Sequence, residues 1–113
     1  MILAGYSQRG SLTFAVSIRK PALFIGAISI AETFDEEGLR DYFHKLDGKN
    51  LKFYIMIGGK DREERLKSNK VAKEILEEHG IKVNIKIFPD VGHAFPGEPD
   101  KELGKALDFI FNE

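Results

Sequence analysis

Three residues far apart in the sequence have the side chains that nucleophilic catalysis requires. Ser7 comes three residues after a short apolar segment that ends at Ala4, Asp61 follows a pair of glycines and Lys60, and His93 follows Gly92. A serine hydroxyl is a weak nucleophile and needs a neighbouring base. An imidazole titrates near neutral pH, so it can accept the hydroxyl proton and return it later, and a carboxylate can fix the tautomer of that imidazole. Brought together, these groups could attack a carbonyl carbon.

Each of these residues also has a simpler explanation when it is taken alone. Ser7 could cap the helix that follows it, and Asp61 could cap a helix that begins near Arg62. His93 could be an ordinary loop histidine with satisfied hydrogen bonds. The combination favours the catalytic interpretation, because the order is serine, aspartate, histidine and each residue follows a predicted strand.

Four apolar segments predict the strands that would position these residues. They cover residues 1–4, 22–30, 51–57 and 82–88. The second and third segments are almost continuously apolar and indicate strands that are buried on both faces. The fourth alternates between apolar and polar residues, which is typical of an edge strand with one face in solvent.

Amphipathic segments follow each of the predicted strands. Apolar residues recur there at helical spacing, namely Leu12, Ala15 and Val16 on one face with Arg19, then Leu39, Tyr42, Phe43 and Leu46, then Val71, Ala72, Ile75 and Leu76, and finally Leu103, Ala106, Leu107, Ile110 and Phe111. Gly80 is placed to end the third helix. The alternation predicts a parallel sheet with crossover helices. We therefore expect an α/β fold, a three-layer α/β/α sandwich with about four parallel strands, as a single domain over residues 1–113.

The carboxyl ends of parallel strands meet at one edge of a sheet. Because Ser7, Asp61 and His93 each follow a predicted strand, we expect them to converge at that edge. Asp90, three residues before His93, is a second carboxylate that could reach the histidine. The sequence does not distinguish Asp90 from Asp61 in this role.

The segments around the three candidates resemble those of a known family. The chain reads Gly-Tyr-Ser-Gln at Ser7, Ile-Gly-Gly-Lys-Asp up to Asp61, and Phe-Pro-Asp-Val-Gly-His-Ala-Phe around His93. Over almost its whole length it resembles the C-terminal half of an α/β-hydrolase, in particular the small carboxylesterases, phospholipases and dienelactone-hydrolase-like enzymes. The resemblance implies that Ser7 is the nucleophile, His93 the general base and Asp61 the group that orients the histidine. The backbone N–H of Gln8 would then donate to the oxyanion.

Two features depart from the pattern of this family. The second residue after Ser7 is Arg9, where the family has a small residue that lets the helix and the neighbouring strand pack closely. The sequence also begins at the nucleophile strand, so we expect a truncated fold without the half that precedes it. That half normally includes the loop that supplies a second oxyanion donor, and losing one donor typically costs about 100- to 1000-fold in rate.

In such a truncated fold the first strand has no neighbour on one side. Exposed apolar strand edges and helix faces recruit partners. We therefore predict a homodimer through the face that the missing half would cover, with the two first strands or their flanking helices meeting across a twofold axis.

The composition excludes several other classes of function. Hydrophobic residues make up 42% of the 113 residues, charged residues 31%, and the net charge is −1. This near-neutral balance gives no basic excess for nucleic acid or an acidic membrane surface. There is no cysteine, which excludes disulfides and thiolate chemistry and fits a cytoplasmic protein. The three histidines show no metal-ligand spacing, and no apolar run is long enough to span a bilayer.

Two functions fit these observations. In the first, the protein is a serine hydrolase that acts on a small carboxylic ester, through Ser7, Asp61 and His93 and without a cofactor. In the second, it is a catalytically idle hydrolase remnant that acts as a dimerisation or ligand-binding module. The triad favours the first function, whereas Arg9 and the missing half favour the second.

Overall fold

The structure is a computed structural model, and it describes residues 1–6, 12–92 and 97–112. Within these residues, four parallel strands form one sheet in the order in which they occur along the chain. The strands are β1 (Ile2–Tyr6), β2 (Gly26–Ile30), β3 (Lys52–Gly58) and β4 (Lys82–Phe88). The predicted four-stranded parallel sheet is therefore confirmed.

Helices follow all four strands, as the alternating pattern predicts. They are α1 (Leu12–Arg19) with a short 3₁₀ helix (Pro21–Leu23), α2 (Glu36–Leu39) continuing into a 3₁₀ helix (Arg40–Leu46), α3 (Glu63–Glu78) and α4 (Pro99–Phe111). The side chain of Asp35 caps α2 by accepting a hydrogen bond of 3.0 Å from the N–H of Gly38. Gly80, which follows α3, has a φ of 80°, a left-handed conformation that ends helices and favours glycine.

The sheet separates two hydrophobic clusters, which makes the three-layer sandwich. Alternate residues of β3 enter opposite clusters, because side chains along a strand alternate between the two faces. Phe53 and Ile55 pack with α1, α2 and α3, whereas Tyr54 and Met56 pack with α4. The edge strand β4 alternates between exposed and half-buried residues along most of its length, as predicted.

Helix α1 buries a different face from the predicted one, which comprised Leu12, Ala15 and Val16 with Arg19. Its buried residues are Thr13, Phe14, Ser17 and Ile18, whereas Leu12 is 65% exposed. The two polar residues are tolerated there because both are hydrogen-bonded. The hydroxyl of Ser17 donates to the carbonyl of Thr13 at 2.6 Å, and Thr13 bonds to a buried carboxylate described below.

Strand β2 is shorter than the apolar run from 22 to 30. The beginning of that run belongs to the 3₁₀ helix Pro21–Leu23, because Pro21 fixes its own φ and suits the first turn of a helix. The strand itself begins at Gly26, where a Cβ would lie 2.6 Å from the side chain of Ile110 in α4. In the part of the chain that the structure describes, no helix has the length and apolarity to cross a membrane.

Candidate active site

The four strands end at one edge of the sheet, and the candidate residues follow these ends. Tyr6 at the end of β1 is in register with Ile30 at the end of β2, and Gly58 at the end of β3 is in register with Phe88 at the end of β4. Ser7 follows β1 directly, Asp61 follows β3 after two residues, and His93 follows β4 after four. Ser7, Gln8 and His93 themselves lie outside the described residues, so their side-chain positions stay predictions.

Asp61 is buried at this edge and is held by several contacts. Its side chain is fully buried, and its own N–H donates to the carbonyl of Gly58 at 3.1 Å. One carboxylate oxygen, Oδ1, accepts a hydrogen bond of 2.7 Å from the N–H of Arg62. The same oxygen forms an ion pair with the guanidinium of Arg65, in the first turn of α3. A charged side chain is rarely buried without such partners, and these contacts fix the orientation of the carboxylate.

The alternative carboxylate, Asp90, lies in a different environment. Asp90 is exposed in the turn that follows β4, whereas Asp61 is buried. An orienting carboxylate has to be held in place to fix the histidine tautomer. Burial and fixed partners therefore favour Asp61 over Asp90 for this role.

The turn that carries Asp61 is attached to the loop that leads to His93. The N–H of Gly59 donates to the carbonyl of Phe88 at 2.7 Å, and the N–H of Lys60 donates to the carbonyl of Val91 at 2.8 Å. A Cβ at Gly58 would lie 2.2 Å from the carbonyl oxygens of both Val91 and Gly92. Only glycine allows so close an approach. The backbone next to His93 is thus fixed against the end of the strand that leads to Asp61.

We expect Gly58→Ala to destabilise the protein, because the added Cβ would collide with main-chain atoms that cannot rotate away. Overpacking of this kind typically costs about 1–3 kcal/mol, which a urea unfolding curve would measure. Gly92→Ala is the matched control, since a Cβ at Gly92 meets no atom within 4 Å, and we expect a change within about 0.5 kcal/mol. Equal effects of the two substitutions would contradict the close packing at Gly58.

A second buried acid lies at the same edge and was not singled out by the sequence. Glu32 follows β2 and is fully buried. It accepts a hydrogen bond of 2.9 Å from the N–H of Thr13 at the start of α1, and the hydroxyl of Thr13 also donates to it. Ala31, which precedes it, has a φ of 54°, a left-handed conformation that alanine rarely adopts. The signal for Glu32 was a charged residue two positions after the end of a strand that has no charged residue.

Burial is the largest influence on the protonation of Glu32. It raises the pKa of this carboxyl group above its ordinary value of 4.5, although the hydrogen bonds from Thr13 act in the opposite direction. The native state therefore binds this proton more tightly than the unfolded chain does. The contribution of Glu32 to the free energy of unfolding decreases as the pH rises from 4.5 through the higher native pKa.

We expect Glu32→Gln to reduce this loss of stability with rising pH, because the amide does not titrate. Each unit of pKa difference corresponds to about 1.4 kcal/mol. Urea unfolding of both proteins from pH 4 to pH 8 would measure the difference between their slopes. Parallel curves for the two proteins would contradict the raised pKa of Glu32.

Among the described residues, no three histidine, cysteine, aspartate or glutamate side chains are grouped so that they could hold a metal ion. The polar groups described at this edge are the ion pair of Asp61 with Arg65 and the carboxylate of Glu32 with its hydrogen bonds to Thr13.

The sequence did not single out Arg65 either. Its signal was an opposite charge four residues after Asp61, a spacing that brings the two side chains together at the start of a helix.

Solved structures with the same fold identify the architecture. An uncharacterized protein from Bacillus cereus ATCC 10987 has a TM-score of 0.83 and 23% identity, over 98% of this chain and 36% of that one. Esterase PE8 has a TM-score of 0.73 and 19% identity, over 97% of this chain and 50% of that one. A putative dienelactone hydrolase from Klebsiella pneumoniae subsp. pneumoniae MGH 78578 has a TM-score of 0.70 and 15% identity, over 99% of this chain and 51% of that one.

Comparison with family models found no match, and comparison with curated proteins found none either. The chain spans about a third to a half of the length of the solved structures described above. The esterase and the dienelactone hydrolase are α/β-hydrolases, and this chain aligns with them over nearly its whole length. The resemblance inferred from the sequence is thus confirmed at the level of the fold: the chain has the architecture of about half of an α/β-hydrolase.

Proposed function

We propose that this chain carries the reactive residues of a serine hydrolase that acts on a carboxylic ester. Ser7 is the nucleophile, His93 the general base, and Asp61 the carboxylate that orients the histidine. The observation that carries the proposal is the buried, firmly held Asp61, whose strand end also fixes the backbone next to His93. Similarity to an esterase and a putative dienelactone hydrolase supports the reaction class.

The reaction proceeds in two steps. The oxygen of Ser7 attacks the acyl carbon of the ester while His93 accepts the hydroxyl proton. His93 then passes this proton to the departing alcohol as the bond between acyl carbon and alcohol oxygen breaks, which leaves an acyl-enzyme. A water molecule, deprotonated by His93, attacks the acyl carbon and releases the carboxylic acid and Ser7. The backbone N–H of Gln8 stabilises the oxyanion in both steps, and no cofactor is required.

A fluorophosphonate probe tests this function directly, because it reacts with an activated serine. The folded protein is incubated with the probe, and mass spectrometry of the digested chain locates the adduct. We expect modification of Ser7 and none of Ser11, which lies nearby in the sequence and has the same functional group. A folded sample without an adduct on Ser7 would overturn the proposal and favour the idle remnant.

We also propose that a second copy of the chain covers the edge of β1. Among the described residues, β1 pairs with β2 on one side only. Met1 is 71% exposed, Tyr6 is 41% exposed, and Ala4 between them is exposed as well. No side chain from residue 1 to residue 6 is charged, so no side-chain charge in this strand opposes edge-to-edge pairing. Antiparallel pairing of two β1 strands across a twofold axis would satisfy both edges at once.

Light scattering should therefore give a mass of about twice 12.7 kDa at micromolar concentration. We expect Ala4→Lys to shift the equilibrium to the monomer, because it places a charge on the proposed contact. Ala22→Lys makes the same change at an exposed alanine outside the strand and should leave the dimer intact. A monomer at every concentration would contradict this proposal.

A further inference from the structure

The carboxylate of Glu32 contacts the chain on both sides of the segment that carries Ser7. On the C-terminal side it accepts hydrogen bonds from the backbone and the hydroxyl of Thr13. On the N-terminal side, a Cβ at Gly5 would lie 2.8 Å from Oε2 of Glu32 and 2.3 Å from the hydroxyl oxygen of Thr13. Gly5 stands two residues before Ser7 and Thr13 six residues after it.

These contacts leave little freedom to either end of the segment. A Cβ at residue 5 would collide with the side chains of Glu32 and Thr13. Only glycine at this position therefore lets β1 pack against the carboxylate of Glu32. The two bonds to Thr13 hold the first turn of α1, where backbone N–H groups have no partner within the helix. A single buried side chain thus fixes the last part of β1 relative to the beginning of α1.

The main chain of Glu32 is itself hydrogen-bonded to α3, the helix whose residue Arg65 forms the ion pair with Asp61. Its carbonyl accepts a hydrogen bond of 2.8 Å from the side-chain amide of Asn69, which also donates to the carbonyl of Arg65 at 2.8 Å. The guanidinium of Arg65 donates to the hydroxyl of Thr33 at 3.2 Å and pairs with Asp61. The turn after β2 is therefore bonded both to α1 and to the contacts that orient Asp61.

We propose that Glu32 is a positioning residue that fixes both ends of the Ser7 segment relative to Asp61, an inference that rests on the proposed function of Ser7. Glu32 does not contact the substrate in this scheme. It acts by holding the nucleophile at the distance and angle that attack requires, and a displacement of about 1 Å can cost 100-fold in rate. Its loss should therefore lower kcat much more than it raises KM.

The test compares Glu32→Ala and Glu32→Gln with a core variant of similar stability. Glutamine can still accept from the N–H of Thr13, and its amide can donate to the hydroxyl of that residue. We expect Glu32→Ala to lower kcat for a short-chain aryl ester by about 10- to 100-fold with little change in KM, and Glu32→Gln to restore most of that rate. Leu76→Ala, which removes a fully buried side chain in α3, controls for destabilisation alone and should leave kcat unchanged.

Amide hydrogen exchange provides a readout that does not depend on activity. In Glu32→Ala, we expect the amides of Thr13 and Phe14 to exchange at least about 10-fold faster than in Leu76→Ala of matched stability. Glu32→Gln should retain the slow exchange of the wild-type protein. Unchanged exchange at Thr13 and Phe14 in Glu32→Ala would overturn the proposal, as would an unchanged kcat in that variant.

Labelling of Ser7 by the fluorophosphonate probe, measured on the wild-type protein and on each variant, separates failure of this inference from failure of the proposed function. If the probe does not label Ser7 of the wild-type protein, the proposed function fails, and the exchange rates alone decide whether Glu32 fixes the segment. If Ser7 is labelled at the same rate in all variants, the function stands and the positioning role of Glu32 is wrong.

Discussion

Ser7→Ala is expected to lower the hydrolysis of a short-chain aryl ester by roughly a million-fold, the size of the loss when a catalytic serine is removed from a comparable triad. Alanine has no atom that can form the bond to the acyl carbon, so only binding and oxyanion stabilisation remain. The measurement is kcat from initial rates on protein whose folding is verified by urea unfolding.

Ser11→Ala is the matched control for this experiment, because it removes the same hydroxyl group from the same short segment. We expect its kcat to stay within a few-fold of the wild-type value. Loss of activity in Ser11→Ala together with retention in Ser7→Ala would contradict the assignment of the nucleophile.

Asp61→Asn should lower kcat by about 10,000-fold, because an amide cannot hold the histidine in the tautomer that accepts the serine proton. The substitution is nearly isosteric, so the N–H of Arg62 keeps an oxygen acceptor. Arg65, whose side chain is 13% exposed, loses its ionised partner, and an unpaired charge so close to the interior is destabilising. Activity therefore has to be compared under conditions in which both proteins are folded.

Asp90→Asn makes the same chemical change at the exposed carboxylate three residues before His93. We expect its kcat to remain close to that of the wild-type protein. The opposite result, with activity lost in Asp90→Asn and kept in Asp61→Asn, would assign the orienting role to Asp90. These two variants thus resolve the choice that the sequence left open.

The strands could be predicted from the sequence because their pattern is local. The alternation from residue 82 to residue 88 coincides with β4 (Lys82–Phe88), and the apolar run from residue 51 to residue 57 lies within one residue of β3 (Lys52–Gly58). A hydrophobic period of two residues, or an apolar run ended by glycine, depends little on the rest of the chain. The parallel order then followed from the length of each connection.

The buried face of α1 could not be predicted in the same way. The predicted face comprised Leu12, Ala15 and Val16, but Phe14 and Ile18 are the buried apolar residues, together with Thr13 and Ser17. Thr13 is stabilised by Glu32, which lies 19 residues further along the chain. A hydropathy pattern treats a buried hydroxyl as unfavourable, and the partner that reverses this balance is brought close only by the folded sheet.

The same contrast between local signals and long-range contacts applies to the candidate site. Asp61 was found because it follows a strand and two glycines, which is a local signal. Glu32 and Asn69 were missed because their importance depends on contacts between elements distant in sequence, as in the bond of 2.8 Å from Asn69 to the carbonyl of Glu32. Short motifs indicate which side chains could react, whereas the residues that hold them in place are recognised only from the packed structure.

The main-chain bonds between the turn after β3 and the loop after β4 have a consequence for the evolution of specificity. These bonds join the N–H groups of Gly59 and Lys60 to the carbonyls of Phe88 and Val91, so they do not involve the side chains of Lys60 and Asp90. The side chains of Lys60 and Asp90 are exposed and can be exchanged without moving the backbone beneath them. Selection, or a designer, can therefore alter the charge and shape presented to an approaching molecule at these two positions while the spacing beneath is preserved.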